Sequence, residues 1–168
     1  MLFRSFLKLV QSLLALNEGF DNPVKPFHKS FPDFITDPSR CIDPRFCISP
    51  QDSHIELATS CLRLMNDGLK QNLLSLPNYA LNSEVDDLEA RINNRISVAL
   101  GYACKSWHSH LTRMEGDVSN VISDLRRFLE EKFLAWLEVV SVLGAARGAI
   151  GAMEQVMSWL QEVRLDPT

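Results

Sequence analysis

The chain has 168 residues, enough for one domain with a real core or one domain plus a remnant of another. At 46% hydrophobic and 23% charged it is globular rather than disordered, and a net charge of -4 leaves no basic footprint for nucleic acid or an anionic membrane. Cys41, Cys47, Cys61 and Cys104 show no C-x-x-C spacing, which points to reduced thiols in a cytoplasmic protein rather than a disulfide scaffold.

Met1 to Leu16 opens the chain with Leu2, Phe3, Phe6, Leu7, Val10, Leu13 and Leu14 at helical spacing, as in an amphipathic core-facing helix. Its lack of acids faintly suggests a targeting segment, but Lys8 and Gln11 break the apolar run and no small-residue cleavage site follows. Leu13 to Asn17 fits a strand, Glu18 to Pro23 is dense in turn formers, and Val24 to His28 fits the returning strand, held to an edge by Pro26. Such a ribbon is barely stable without helices against it. Alternation along the strand would send Phe27 into a core and His28 out of it. Ser30 is then a natural N-cap, Pro32 sits early enough to cost little, and Asp33 puts a carboxylate in the first turn. Phe31, Phe34 and Ile35 give the helix an apolar face.

Pro38, Pro44 and Pro50 exclude a long helix from the next stretch, which reads as an ordered connector between two units. Beyond it the pattern is helical throughout. Ser49 caps and Pro50 opens a helix whose buried stripe is Ile55, Ala58, Leu62, Met65, Leu69, Leu73 and Leu76, with Gly68 a weak spot. A second helix is predicted from Ser83 to Met114, about 45 Å if unbroken. Its stripe is Val85, Leu88, Ile92, Ile96, Ala99, Ala103, Trp107 and Leu111, and Glu84, Asp86, Asp87 and Glu89 crowd its start, where the macrodipole favours them. A third helix begins near Asp117 and turns apolar on nearly all sides from Phe133 to Leu143, which predicts a central helix buried on every face around Trp136. That stretch is too short to span a membrane. Gly144 stops it. The last helix runs from about Ala145 to Val163, with Gly148 and Gly151 weakening it or admitting a close neighbour.

Candidate chemistry is sparse. His28 stands at a strand–helix junction, though a lone histidine is more often structural than functional. His108 and His110, two apart on a helix, make a poor metal pair and read as a solvated edge. Cys104 lies one turn from His108, but no orienting group or oxyanion donor completes a dyad. The acidic cluster lacks the spacing and glycine of an EF-hand loop. Trp107, Trp136 and Trp159 read as core or partner contacts. No G-x-x-x-x-G-K-S/T loop exists in the sequence to cradle a triphosphate. On the residues, then, the chain is not an enzyme.

Several strings carry a family resemblance. P-F-H-K-S-F-P-D-F-I-T-D-P-S-R-C (Pro26 to Cys41) resembles the end of the winged-helix module in NACHT-type STAND nucleotide-binding signalling proteins, above all fungal ones with a C-terminal WD-repeat propeller. A-L-N-S-E-V-D-D-L (Ala80 to Leu88), Y-A-C-K-S-W-H-S-H-L (Tyr102 to Leu111) and F-L-E-E-K-F-L-A-W-L-E-V-V-S-V-L-G (Phe128 to Gly144) resemble the linker region of the same proteins. The resemblance spans nearly the whole chain and falls after the NTPase core and before the propeller. It implies a mainly α fold: residues 1–37 as the winged-helix end with a short β-ribbon, 38–50 as a Pro-rich connector, and 51–165 as an antiparallel helical bundle or solenoid-like array.

In that family ADP is buried between the NTPase core and the winged helix, and the histidine of the F-H-K-S-F motif reaches its β-phosphate. The resemblance gives that role to His28 alone. ADP or ATP with magnesium is implied for the complete receptor, and neither cofactor nor metal for this chain by itself. The implied partners are a NACHT NTPase core and a WD-repeat propeller, neither present in this sequence, which therefore reads as a segment or a cut-down relative. Nucleic acid and membrane are not expected partners, and apolar surface near Leu2, Phe6 and Val10 left uncovered implies self-association. The expected function is a regulatory segment of a nucleotide-gated switch of the NLR-like, heterokaryon-incompatibility kind. The alternative is a stand-alone helical interaction module that has lost its NTPase.

Overall fold

The computed structural model describes residues 14–15, 25–77, 81–115 and 118–165, with the side chains of 14, 15, 164 and 165 excepted. Of the helix expected over Met1 to Leu16 only Leu14 and Ala15 are described, and they form a strand instead; the rest of it, its self-associating face and the turn at Glu18 to Pro23 lie outside the described residues. The chain is mainly helical and divides into two compact units, Met1–Pro50 and Gln51–Thr168.

In the first unit a two-residue ribbon pairs β1 (Leu14–Ala15) with β2 (Lys25–Pro26), antiparallel, with Leu14 opposite Pro26 and Ala15 opposite Lys25. β2 ends at Pro26, so the alternation expected through Phe27 and His28 does not reach them. Phe27 is 67% exposed rather than in a core. α1 (Ser30–Ile35) follows, and it buries no residue completely. Ser30 is its first helical residue and not its N-cap; Lys29 holds that place, without a capping side chain.

The connector is built from local turns, as its prolines predict. Asp37 accepts the backbone N–H and hydroxyl of Ser39, at 2.9 and 2.6 Å, which lowers its carboxyl pKa. Asp43 accepts the backbone N–H and guanidinium of Arg45, holding its carboxyl down at about 2. Such turns favour Asp or Asn at their first position. Ile48 N–H then closes onto Ile35 O at 2.7 Å, tying the connector back to the end of α1.

The second unit holds α2 (Pro50–Gly68), a 3-10 turn (Asn82–Glu84), α3 (Leu88–Arg95), α4 (Val98–Leu111), α5 (Ser119–Arg127), a π turn (Phe128–Lys132), α6 (Phe133–Val142) and α7 (Ala146–Leu165). α2 obeys its predicted stripe as far as Leu69, with Ala58, Leu62, Met65 and Leu69 fully buried. It ends at Gly68, however, and Leu73 and Leu76, expected to continue it, lie beyond the helix where Asn72 and Ser75 take positive φ. The single helix expected from Ser83 to Met114 is instead three pieces. Ile96 and Ser97 take extended conformations, and the Ser97 hydroxyl accepts the Leu100 N–H at 3.1 Å, capping α4 afresh. A serine within a helical pattern competes for backbone bonds in this way. The expected stripe holds on either side of the break, with Ile96, Ala103, Trp107 and Leu111 buried, but Leu100 is buried in place of the expected Ala99.

The core centres on three rings. Trp107 meets Phe128 at 4.9 Å and stands edge-on to Trp136 at 5.9 Å, with Phe128 also edge-on to Trp136. Trp136 Nε1–H donates to Cys104 O at 2.9 Å, pinning α6 to α4. α6 is not buried on every face, however. Leu134 is 74% exposed and Leu137 borders solvent, while Trp136, Val139 and Val140 turn inward. The helix ends in a Schellman closure, with Ala145 N–H to Val140 O and Gly144 N–H to Ser141 O, which requires the left-handed φ of +68° at Gly144. Gly148 and Gly151 admit no close neighbour: a Cβ at either would meet nothing within 4 Å.

Candidate functional site

His28 lies in the bend between β2 and α1, with its side chain exposed. Its orientation is set locally. Nδ1 accepts the Ser30 backbone N–H at 3.1 Å and lies 2.8 Å from the Ser30 hydroxyl. Because Nδ1 receives an N–H, it carries a lone pair, and in the neutral ring the proton sits on Nε2. The ring thus presents an N–H donor at Nε2, held by the backbone of the helix it precedes. Phe31 N–H bonds the His28 carbonyl at 3.2 Å, fixing the same residue from its backbone side. Ser30, expected to cap with its own hydroxyl, instead orients the imidazole. Chemically the arrangement offers one directional donor for an oxygen acceptor supplied from outside.

The other sequence candidates are placed elsewhere and do different work. His110 is buried rather than on a solvated edge, only 8% exposed, and bonded on both ring nitrogens: to Tyr102 Oη at 2.6 Å and to His54 Nδ1 at 3.0 Å. His108 points to Gln155 Oε1 on α7, 3.0 Å away. Cys104 is buried, and desolvation, followed by the neighbouring Cys61, pushes its thiol up to about 12, the wrong direction for a nucleophile. Burial likewise lifts Cys61 to about 11.

The acidic cluster does not crowd a single helix start. Glu84 accepts the Leu81 N–H at 2.9 Å within the 3-10 turn. Asp87 stands at the N-cap of α3 but makes no capping bond; its carboxylate pairs with Arg91 at 2.9 Å, which lowers its pKa. No group of three or more His, Cys, Asp or Glu side chains among the described residues could hold a metal ion. Trp107, Trp136 and Trp159 are all buried.

Two structural ties carry no sequence signal. Arg91 reaches across to the carbonyls of Leu74 and Ser75, at 3.1 and 2.7 Å. Asn66, fully buried on α2, donates to Asp124 O at 2.9 Å. An open groove of about 390 Å³ lies along α5, the π turn and α7, apolar at Leu125, Leu129 and Leu160 with Arg126 and Glu130 at its rim. No described helix is long and apolar enough to cross a membrane. No protein-family model matches the chain, and no curated protein or solved structure is significantly similar to it.

Proposed function

We propose that the chain is a regulatory segment of a nucleotide-gated signalling switch of the NACHT kind, in which His28 donates a hydrogen bond to a β-phosphate oxygen of ADP bound on an NTPase core. The observation that supports this is the fixed tautomer of His28, whose Nδ1 is taken by Ser30 so that Nε2–H is the outward donor. The surface of the same unit agrees with a segment that packs on a larger body: Phe27, Phe34, Ile42, Phe46 and Ile48 are all exposed. On this reading residues 1–37 end a winged helix, and the helical region, an antiparallel bundle or solenoid-like array, links the core to a sensor propeller in the cytoplasm.

The experiment is calorimetry of ADP at fixed magnesium on this segment joined to its NTPase core. A hydrogen bond to a charged group contributes about 1.5–3 kcal/mol, so His28→Ala should weaken ADP by roughly ten- to a hundredfold. The 168-residue chain alone should bind neither ADP nor ATP measurably, since one imidazole does not offset the ordering cost of binding. Equal affinities in wild type and variant would remove the role.

A second reading, a stand-alone helical interaction module, is favoured by apolar side chains exposed on the helical unit, Leu134 and Ile150 among them. The two separate on the sequence upstream of Met1: an open frame encoding a P-loop supports the first.

A further inference from the structure

Two imidazoles far apart in sequence meet within the helical unit. His54, near the start of α2, and His110, in the last turn of α4, face each other with their Nδ1 atoms 3.0 Å apart. Their ring centroids are 5.3 Å apart, close to the largest separation two such rings can have with nitrogens at that distance. The nitrogens therefore meet head-on, as in an N–H···N hydrogen bond. A metal ion about 2.0 Å from each nitrogen would have to lie off the line that joins them, where neither lone pair points. One proton, and only one, fits between two such nitrogens.

On its far side His110 Nε2 lies 2.6 Å from the hydroxyl of Tyr102, itself half exposed. A phenol can donate or accept, so it serves His110 in either tautomer. We propose that the His54–His110 pair is an acid-sensitive latch, which holds the start of α2 on the end of α4 through one shared proton and opens when a second proton binds. With both rings charged, each Nδ1 carries a hydrogen and the contact becomes two like charges face to face.

The surroundings oppose that second charge. His110 is desolvated, and the groups acting on it are His54 from α2, Arg113 from the turn after α4, and His108 from α4 itself; all lower its proton affinity. His108 is engaged by Gln155 of α7. Asp52 and Glu56 stand two residues to either side of His54, and positions two apart on a helix do not share a face. The direction of the pH effect follows. The native His110 binds its proton less readily than the free side chain at 6.5, so the unfolded chain holds more protons below that value. The latch contributes its stability above about pH 6.5 and loses it as the pH falls from there through the native value.

The test is amide hydrogen exchange on the full chain at pH 7.5 and pH 5.0, corrected for intrinsic rates. Protection over residues 51–58 and 107–113 should fall on acidification, and by more than in α6. In His54→Gln the amide oxygen accepts from His110 Nδ1–H whether the ring is neutral or charged. That variant keeps the contact and should lose protection by less than about threefold over the same range. Constant protection in the wild type, or an equal loss in His54→Gln, overturns the latch. Nitrogen-detected titration of the imidazoles supplies a readout independent of opening: a coupled pair is expected, and two rings titrating independently would overturn it.

Discussion

Trp107 and Trp136 permit a test in which burial is held constant and hydrogen bonding alone differs. Both side chains are almost wholly buried, at 0% and 1% exposure, and their rings touch. Trp136 Nε1–H donates to Cys104 O at 2.9 Å, whereas Trp107 Nε1 meets no acceptor among the described residues. Replacing either by Phe removes the same atoms, so the transfer and cavity costs are similar, on the order of 1–2 kcal/mol. Trp136→Phe also removes a made hydrogen bond, adding about 0.5–1.5 kcal/mol. The Cys104 carbonyl lies inside α4 and keeps its helical partner, so no stranded acceptor adds to that figure. Trp107→Phe removes a buried donor without a protein partner and recovers part of its desolvation cost, about 1–3 kcal/mol. Trp136→Phe should therefore be the more destabilising by roughly 1–4 kcal/mol, and Trp136→Ala, which empties the site, should cost about 3–5 kcal/mol. Urea unfolding of the full chain at neutral pH, followed by circular dichroism, measures both. Equal losses for the two Phe variants would refute the hydrogen-bond argument, and a Trp136→Ala variant with an unchanged midpoint would refute the core assignment.

The glycines of the last two helices should respond with opposite signs. Gly144→Ala forces a side chain into the left-handed region and should cost about 1–2 kcal/mol, whereas Gly148→Ala and Gly151→Ala, where a Cβ meets nothing, should each gain about 0.5–1 kcal/mol in the same unfolding assay. Thiol reactivity should follow burial: with thiol pKa values of about 11 and about 12, Cys61 and Cys104 stay protonated at pH 8. Iodoacetamide at that pH should modify the half-buried Cys47 first and reach Cys61 and Cys104 only on unfolding, as peptide mass spectrometry would read directly.

What periodicity can reach, the sequence made legible. Ala58, Leu62, Met65 and Leu69 follow one helical stripe and are buried as that stripe requires. Val121, Leu125 and Phe128 hold their phase into the π turn in the same way. Periodicity fails where a single side chain chooses between two local bonds. Ser97 looks like one more polar helix position, yet its hydroxyl takes the Leu100 N–H and splits the predicted long helix. Composition also misleads about exposure. The run from Phe133 to Leu143 is apolar on nearly all sides, but a helix packs only where neighbours exist, and Leu134 is exposed over most of its surface.

The histidines show why site chemistry is harder to read than helix phase. An imidazole is defined functionally by what holds each nitrogen, and that information is local for one of these residues and distant for another. At His28 the partner is Ser30, two residues on, so the strand–turn–helix pattern carries both the ring and the group that fixes its tautomer. At His110 the partners are Tyr102, eight residues back, and His54, fifty-six away, and only the assembled helices bring them together. Sequence spacing placed His110 on an edge because the one neighbour it could compare, His108, points elsewhere. The consequence bears on function. A ring held by its own backbone takes its orientation from one short segment, and its Nε2 faces outward from that segment. A ring fixed by a second helix reports instead on whether that helix is in place, and suits a group that senses the state of the fold.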